Sequence, residues 1–418
     1  MNDKSIKLTY FDLPKSVYVL VFSRIISSMG NFVFPFMTLL LTSKIALAER
    51  QVGLFLLMAS ALQIPGALIG GKLSDIMGRK KIMIVSTALS AICLLPCAVF
   101  IDYADTLMYI PWVLILATFF NSISGPANSA MVNDLTVPGN RQAAMSLLYM
   151  AMNVGTAIGS VVSGLLFNNY MKILFIGDAL SKFVSIMLLL KFVKESKPSN
   201  EDLDHISDLS RIDEKPEGGG LVSALLKRPK LLIFALLNMI YSFIYAQTHF
   251  SMPLQVNSIF GEELGAGYFG TLNMINCLEV ILLTTIITII TRKIRSIYNV
   301  SIAGIFYAIG FGMLFFVNNL PLFILSTIIW TIGEIINSTN IGVYIANHTP
   351  ISHRGRFNAM INIISSTGSS ISPYIMGSII EGRGVANVWP IIFILGLTAS
   401  FLMFLLGSYE KRTEKILI

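Results

Sequence analysis

The stretch GGKLSDIMGRKK, Gly70 to Lys81, separates two long apolar runs of the sequence. The chain is 54% hydrophobic and only 13% charged, yet these twelve residues hold five charged side chains and three glycines. A soluble protein of 418 residues needs far more polar surface than this composition supplies. The composition therefore predicts a membrane protein, and the stretch predicts a short polar loop between two membrane spans.

The apolar runs predict an all-α integral membrane protein. About twenty consecutive apolar residues at helical rise cross a bilayer, and the sequence contains twelve such segments. They lie near residues 16–42, 50–70, 80–101, 109–133, 143–167, 172–193, 231–256, 266–291, 297–317, 320–346, 357–380 and 386–408. The polar stretch between the sixth and seventh includes SNEDLDHISDLSRIDEKPEGGG and is typical of a flexible linker. We therefore expect a six-helix bundle at 1–193, a cytoplasmic linker at 194–230 and a second six-helix bundle at 231–418.

The positions of Lys and Arg predict the orientation. If the N-terminus lies inside the cell, the cytoplasmic loops and the linker hold most of the 30 basic residues. Both termini are then cytoplasmic, and this topology accounts for the net charge of +7 without a nucleic-acid partner. The N-terminal residues lack the pattern of a cleaved signal peptide, so we expect the first span to remain and the protein to reside in the plasma membrane.

The two halves of the sequence repeat at an offset of 213 residues. The offset aligns Arg79-Lys80 with Arg292-Lys293, Arg141 with Arg354, Gly155 with Gly368, and Gly164 with Gly377. Because each half has six spans, both halves start on the same side of the membrane, and the repeat is parallel. This arrangement is typical of alternating-access transporters whose substrate site lies between two bundles.

The opening stretch resembles the signature loop between spans 2 and 3 of the major facilitator superfamily, Gly-x-Leu-x-Asp-x-x-Gly-Arg-Lys/Arg. The matching residues are Gly71, Leu73, Asp75, Gly78, Arg79 and Lys80, whereas Ile76 stands where a basic residue is common. With the twelve spans and the long middle loop, the resemblance extends over the whole chain. It implies the superfamily's fold of two six-helix bundles, and a monomer.

Three physical roles fit this loop. Its basic residues keep it in the cytoplasm, Gly71 and Gly78 permit close helix packing and a tight turn, and Asp75 is placed to pair with Arg79. The resemblance implies that Asp134, at the cytoplasmic end of span 4, joins them in a cluster that latches the halves in the outward-facing state. The alternative is a plain basic loop that only sets the topology.

Two acidic residues inside spans are candidates for proton coupling. Gly333 and Glu334 resemble the Gly-Glu pattern in span 10 of twelve-span drug/proton antiporters, where the resemblance implies that the carboxylate helps to couple protons. Asn337, Asn340 and Tyr344 follow on the same helix as polar neighbours. A permanently protonated Glu334 that only donates a hydrogen bond is the alternative. Glu279, which shares a helix face with Asn273 and Asn276, is the second candidate, or else a helix-packing carboxyl.

The remaining polar residues of the spans predict a substrate cavity. Arg24 and Asn31 share a face of span 1. Three interpretations of Arg24 are open: it takes part of the role of the span-4 Arg that the antiporters usually carry, it pairs with an anionic group, or its side chain extends to the membrane interface. Tyr245, Gln247 and His249 give span 7 a polar end that we expect to face substrate. Asp178 and Lys182, four residues apart in span 6, are interpreted as a structural pair.

The sequence predicts a transporter rather than an enzyme. No Walker-type phosphate loop is present, so a proton gradient rather than ATP is the expected energy source, without a cofactor. Cys93 and Cys97 lack nearby His, Asp or Glu and are interpreted as buried side chains, not a metal site. The expected function is proton-coupled export of small amphipathic, cationic or neutral compounds, as in multidrug efflux. The alternatives are a transporter of one defined solute (a peptide, sugar or lipid-linked molecule) and a membrane receptor that does not transport.

Overall fold

A computed structural model of the chain describes residues 13–136, 138–197, 228–349 and 354–416. At 138, 139, 142, 346, 354–359 and 414–416 it describes the backbone alone. Most of the predicted linker, residues 198–227, lies outside the described residues, as does the side chain of Arg354. The described residues are almost entirely helical, and none of them forms a β-strand.

Each predicted span falls on helical residues. The long helices are α1 (Lys15–Met29), α2 (Glu49–Met77), α3 (Arg79–Phe100), α4 (Ile110–Asp134), α5 (Pro138–Leu166), α6 (Met171–Phe192), α7 (Pro229–Tyr245), α8 (Ser251–Thr291), α9 (Ser296–Gly312), α10 (Leu320–His348), α11 (Arg354–Arg383) and α12 (Val388–Ile416). Short helical turns occupy Phe34–Lys44, Ala104–Tyr109, Ala246–Thr248, Met313–Phe315 and Val385–Asn387.

The helix starts follow local chemistry. Asn319 precedes α10, and its side-chain oxygen accepts the backbone N–H of Leu322 at 3.1 Å, which satisfies one of the donors left open at a helix start. Proline lies in the first turn of α4, α7 and α10, where its missing N–H costs no hydrogen bond. These caps place the polar loops at the ends of the apolar runs.

Ten runs of the described residues are long and apolar enough to cross a membrane. Two of the twelve predicted spans do not appear as separate runs in this count of ten. Spans 7 and 8 fall in one run of 63 residues, Pro229–Thr291, which changes direction at Gly261 with a φ of 77° that glycine readily adopts. Span 11 lies on α11, which is helical throughout. Its serine-rich sequence is too polar to count as a run that crosses a membrane.

The chain divides into two compact units. Unit 1 takes its described residues from Met1–Leu47, Phe55–Ser199 and Val256–Ile281. Within it α3 packs on α4 and α6, and α1 packs on α5 and α6. Its apolar core includes Val17, Ile82, Ala127, Met131 and Ala144, all of them buried. Unit 1 therefore holds the first six helices, without the first turns of α2, and the middle of α8.

Unit 2 takes its described residues from Ala48–Leu54, Asn200–Gln255 and Leu282–Ile418. Within it α9 packs on α10 and α12, and α7 packs on α11 and α12. Three aromatic rings stack through its core, with Phe311 at 5.4 Å from Trp330 and 6.3 Å from Trp389 between ring centres. Large apolar rings thus fill unit 2, whereas smaller aliphatic side chains fill much of unit 1.

The repeated glycines lie at close backbone contacts, each within its own unit. A Cβ on Gly155 of α5 would lie 2.5 Å from the carbonyl oxygen of Ile25 in α1, and one on Gly368 of α11 would lie still closer to that of Met239 in α7. Gly164 makes the matching approach to α8 in unit 1, and Gly377 makes it to the start of α2 in unit 2. Glycine permits these approaches because it carries no side chain.

Candidate functional site

Unit 1 contains two adjoining polar cavities, each of about 240 Å³. They share the lining residues Asn31, Asn121 and Lys182. Arg24 lines one of them, and Asp178 lines the other. The cavities exist because α1, α4 and α6 turn their serine and asparagine side chains toward one another within an otherwise apolar unit.

Arg24 extends into this space from α1. Its Nη2 donates to the sulfur of Met152 at 3.1 Å, and the Ser27 hydroxyl donates to its backbone carbonyl at 3.3 Å. Arg24 and Asn31 line the same cavity, and Asn121 and Asn128 of α4 lie on that cavity too. The structure therefore places the span-1 cation beside α4, the helix that lacks an Arg of its own.

Asp178 and Lys182 form an ion pair one turn apart on α6. Their side chains are 3% and 12% exposed, so the pair is withdrawn from solvent. The sequence interpretation treats this pair as structural, and the structure adds that both side chains line the polar cavity. The pair supplies a balanced charge beside the single positive charge of Arg24.

Unit 2 holds Glu334 in an aromatic surround. The hydroxyl of Tyr245 donates to Oε1 of Glu334 at 2.9 Å. The Tyr245 ring lies 6.0 Å from that of Trp330 and 6.3 Å from that of Tyr307, between ring centres. Glu334 is half-buried. The sequence singles out Tyr245 and Glu334 separately, on spans 7 and 10, and the structure brings them into direct contact.

Glu279 lies in unit 1, on the middle part of α8. Its side chain is buried, as is that of Asn273 two turns earlier, while Asn276 between them is half-buried. The three residues share one helix face, as their spacing predicts. The role of this face in a substrate cavity stays a prediction.

The other residues predicted to line a cavity in unit 2 occupy different surroundings. Gln247 is fully buried, donates to Ser372 and accepts from Ser251 at 2.5 Å. Asn340 is buried, and its Oδ1 accepts from Asn299 at 2.8 Å. These contacts bind the turn after α7 to α11 and to the start of α8, and α9 to α10, in unit 2. A role for either residue in binding substrate stays a prediction.

His249 and Asn337 are the other two residues predicted to line a cavity in unit 2. His249 has an exposed side chain, and its role in binding substrate stays a prediction. Asn337 is half-buried, and its side-chain oxygen has no hydrogen-bond partner among the described residues. Asn337 lies one turn after Glu334 on α10, so the two side chains share a face.

The predicted loop at Gly70–Lys81 is almost entirely helical, because α2 continues to Met77 and α3 begins at Arg79, with Gly78 alone between them. The residues of this signature loop form a charged cluster within unit 1. Arg79 Nη1 lies 2.7 Å from Asp75 Oδ1, and Arg79 Nε lies 3.2 Å from Asp134 Oδ2. Arg79 Nη1 also donates to the carbonyl of Ser74 at 2.8 Å, and Lys80 donates to that of Leu190 at 3.1 Å. The structure therefore brings Asp75, Arg79 and Asp134 together, and their action as a latch stays a prediction.

The sequence interpretation missed the segment after α6 as part of this cluster. Glu195 accepts the backbone N–H groups of Arg79 at 2.8 Å and Lys80 at 3.1 Å. Ser196 donates to Asp134 at 3.2 Å, and Lys197 donates to the Ile76 carbonyl at 2.9 Å. Partial burial acts to raise the pKa of Glu195, but the backbone donors outweigh it, so this pKa lies below its usual value.

A signal for this contact was present in the sequence. The residue before α3 is Gly78, with a φ of 101°, and glycine has no side-chain oxygen to accept the first N–H groups of the helix. An acceptor must therefore come from elsewhere, and an acid shortly after span 6 is able to supply it.

The fold and its buried charges define a multi-pass membrane transporter, and the family follows from direct comparison. The family model of the Major Facilitator Superfamily matches residues 20–373 and 251–415. The chain belongs to this superfamily.

Relatives agree with this placement over nearly the full length. The chain is 21% identical over 405 residues to an uncharacterized MFS-type transporter, YttB, of Bacillus subtilis (strain 168), covering 96% of this chain and 97% of the relative. It is 22% identical over 412 residues to a Na(+), Li(+), K(+)/H(+) antiporter of Planococcus maritimus, covering 91% and 93%. The crystal structure of a POT family transporter in complex with a thioalcohol-conjugated peptide superposes with a TM-score of 0.74 at 14% identity, covering 96% and 97%. That likeness shows the fold.

Proposed function

We propose that the chain is a secondary active transporter that exports small amphipathic compounds across the plasma membrane in exchange for protons. Twelve crossing helices in two parallel six-helix repeats, with both termini in the cytoplasm, would carry out alternating access. The proton gradient supplies the energy, and no cofactor is needed. Membership of the superfamily, the similarity to a cation/proton antiporter and the carboxyl groups inside apolar helices support this proposal.

The observation that carries proton coupling is the contact between Tyr245 and Glu334. A tyrosine hydroxyl both donates and accepts, so it donates to an ionised carboxylate and accepts from a protonated one. Glu334 therefore keeps a hydrogen-bond partner in both protonation states, and neither state leaves a buried polar group unpaired. A carboxyl with this property is suited to gain and lose a proton during each transport cycle.

The Asp75–Arg79–Asp134 cluster is the proposed conformational latch. Its ion pairs need to contribute only a few kcal/mol, because a transporter alternates between states of similar free energy. Two alternatives to this function stay open. The first is a transporter of one defined solute, which the fixed polar lining near Arg24 favours. The second is a receptor that keeps the fold without transport.

Transport in proteoliposomes with an imposed pH gradient tests the proposal, with dyes and antibiotics as candidate cargo. Glu334→Gln should reduce pH-driven transport by about 10²-fold, the lower end of what is lost with a proton-transferring group. Glu279→Gln gives the contribution of the second acid, and Asp105→Asn, at an exposed carboxyl, is the control. Undiminished pH-driven efflux in the Glu334→Gln, Glu279→Gln double variant would remove the proton-coupling proposal.

A further inference from the structure

Arg24 carries a positive charge that the described residues leave uncompensated. Its only side-chain hydrogen bond among them is to the sulfur of Met152, a weak acceptor, and no described carboxylate pairs with it. A charge within a membrane span is costly, and the cost is greater when no opposite charge lies beside it. Such a group is expected to be retained for function rather than for stability.

The charge balance of the two cavities in unit 1 favours an anion. Arg24, Asp178 and Lys182 are the only charged residues among those that line them. Lys182 and Asp178 neutralise each other, so the lining keeps one net positive charge, that of Arg24. A low-dielectric cavity lined by one sign of charge attracts ligands of the opposite sign. The cavity therefore favours an anionic ligand, whereas the sequence predicts a cationic or neutral cargo.

The same cavity also offers hydrogen-bonding groups. The side-chain oxygen of Asn128 is buried without a hydrogen-bond partner among the described residues, so it requires a donor. The Thr156 hydroxyl also lines the cavity and is able to donate to an anion, whereas the Ser27 and Ser124 hydroxyls donate to the backbone carbonyls of Arg24 and Asn121. At about 240 Å³ the space far exceeds the roughly 10–15 Å³ that one water needs.

We propose that this cavity is the anion subsite of the cargo. It takes an organic molecule whose carboxylate or phosphate binds the Arg24 guanidinium and whose hydroxyl or amino group donates to Asn128. The planar guanidinium suits such an anion because it presents several N–H donors in a fixed geometry. The inference rests on the proposed transport function and names the class of compound that this site selects.

Three probes that share a benzene ring and differ in charge test the subsite: benzoate, benzamide and benzylamine. Binding to the purified full chain in phosphatidylcholine nanodiscs is measured by isothermal titration calorimetry at fixed ionic strength. Benzoate should bind at least about tenfold more tightly than benzamide, since only benzoate forms charge-assisted hydrogen bonds. Benzylamine should bind more weakly than benzamide. Equal binding of the three probes would overturn the proposal.

Two variants change the charge that the anion meets. Arg24→Gln should abolish the preference for benzoate, whereas Lys172→Gln removes an exposed positive charge of the same unit and should not. Met152→Glu keeps Arg24 but gives it a carboxylate at the position of the sulfur, so benzoate binding should again be lost. Met152→Leu is its neutral control. A benzoate preference that survives both Arg24→Gln and Met152→Glu would refute the site, even if one of them folds poorly.

Two further measurements distinguish a lipid headgroup from a free solute as the source of the anion, and the anion subsite from the proton-coupling proposal. If a lipid headgroup occupies the site, phosphatidylglycerol in the nanodiscs should weaken benzoate binding to the wild type and not to Arg24→Gln. A free solute predicts no such change. Glu334→Gln should bind benzoate normally, because it leaves Arg24 intact. Undiminished pH-driven transport by Glu334→Gln with normal benzoate binding would thus count against the proton-coupling proposal alone. Equal binding of the three probes by a wild type that transports would count against the anion subsite alone.

Discussion

The cavity of unit 1 and the aromatic surround of Glu334 in unit 2 handle a buried charge in opposite ways. In unit 1 the cation Arg24 lines a polar cavity, and its side chain donates only to a sulfur among the described residues. In unit 2 the acid Glu334 accepts a hydrogen bond from Tyr245 within a group of large rings. The first arrangement leaves a charge ready for a ligand, and the second gives a carboxyl a partner that tolerates either protonation state.

The internal repeat predicted from the sequence relates the two arrangements. At the offset of 213 residues, Asn121 of unit 1 corresponds to Glu334, and Leu237 of unit 2 corresponds to Arg24. Asn121 lines both cavities of unit 1. Under the two proposals, single differences at positions that this offset aligns would distinguish a unit that binds an anion from a unit that exchanges a proton.

The largest expected effect contrasts Arg24 and Lys182, the two cations that line the cavities of unit 1. Lys182→Met should lower the free energy of unfolding by about 3 kcal/mol, because it leaves the buried Asp178 carboxylate without its partner. Arg24→Met should instead raise it by about 1 kcal/mol, since no described acid depends on Arg24. Unfolding in detergent micelles, followed by circular dichroism, measures both changes.

The double variant Asp178→Asn, Lys182→Met is the control for this contrast. It should recover most of the stability that Lys182→Met loses, because no charge then remains uncompensated. If Arg24→Met were as destabilising as Lys182→Met, Arg24 would have a structural partner, and the comparison of the two cations would fail.

The next prediction tests whether the two units have the same close helix packing at the repeated glycines. Gly155→Ala and Gly368→Ala should each lower the free energy of unfolding by about 2 kcal/mol, because the new methyl group meets the backbone of α1 or α7. Gly125→Ala and Gly342→Ala, with open space at the Cβ position, are the matched controls and should be neutral or stabilising. Thermal unfolding of the four variants gives the measurement. A neutral result at only one of the two repeated positions would break the equivalence of the units.

The fold was largely predictable from the sequence, and the partners of the buried charges were not. Hydropathy placed every span on helical residues, because run length alone decides what crosses a bilayer. It missed the extent of α8, since the helical residues continue past Gly261 and through the two glutamates that follow it, where the sequence predicts a break between spans. Spacing along one helix predicted the pair Asp178–Lys182, and closeness in the signature loop predicted the pair Asp75–Arg79, which joins the end of α2 to the start of α3. Contacts between helices, such as Tyr245–Glu334 or Arg24–Met152, depend on packing that no single-helix periodicity contains.

A smaller effect concerns the hydroxyl that Glu334 contacts. Tyr245→Phe keeps the ring and removes the 2.9 Å hydrogen bond, so pH-driven transport should fall by about tenfold, which corresponds to a loss of about 1.4 kcal/mol. Initial rates in proteoliposomes measure the change. Tyr170→Phe, at an exposed tyrosine of unit 1, serves as the control and should transport normally. Full activity of Tyr245→Phe would show that Glu334 exchanges its proton without this partner.

The smallest expected effect compares the signature loop with its counterpart in unit 2. At the same offset Asp75, Asp134 and Glu195 correspond to Thr288, Asn347 and Ser408, so the acids around Arg79 have no acidic equivalents. Glu195→Gln should lower the free energy of unfolding by about 0.5 kcal/mol, because an exposed carboxylate at the start of α3 is screened by solvent. Ser408→Ala is the matched control and should change nothing.

The pH dependence of this last effect identifies its cause. The pKa of Glu195 lies below its unfolded value of about 4.3, so its contribution is fully present above that pH and is lost as the pH falls through the folded pKa. The difference in unfolding midpoint between wild type and Glu195→Gln should therefore be constant above about pH 5 and shrink below it. A difference that instead persists unchanged at pH 3 would mean that Glu195 acts through packing rather than through its charge, and the contrast between the two loops would then be one of shape alone.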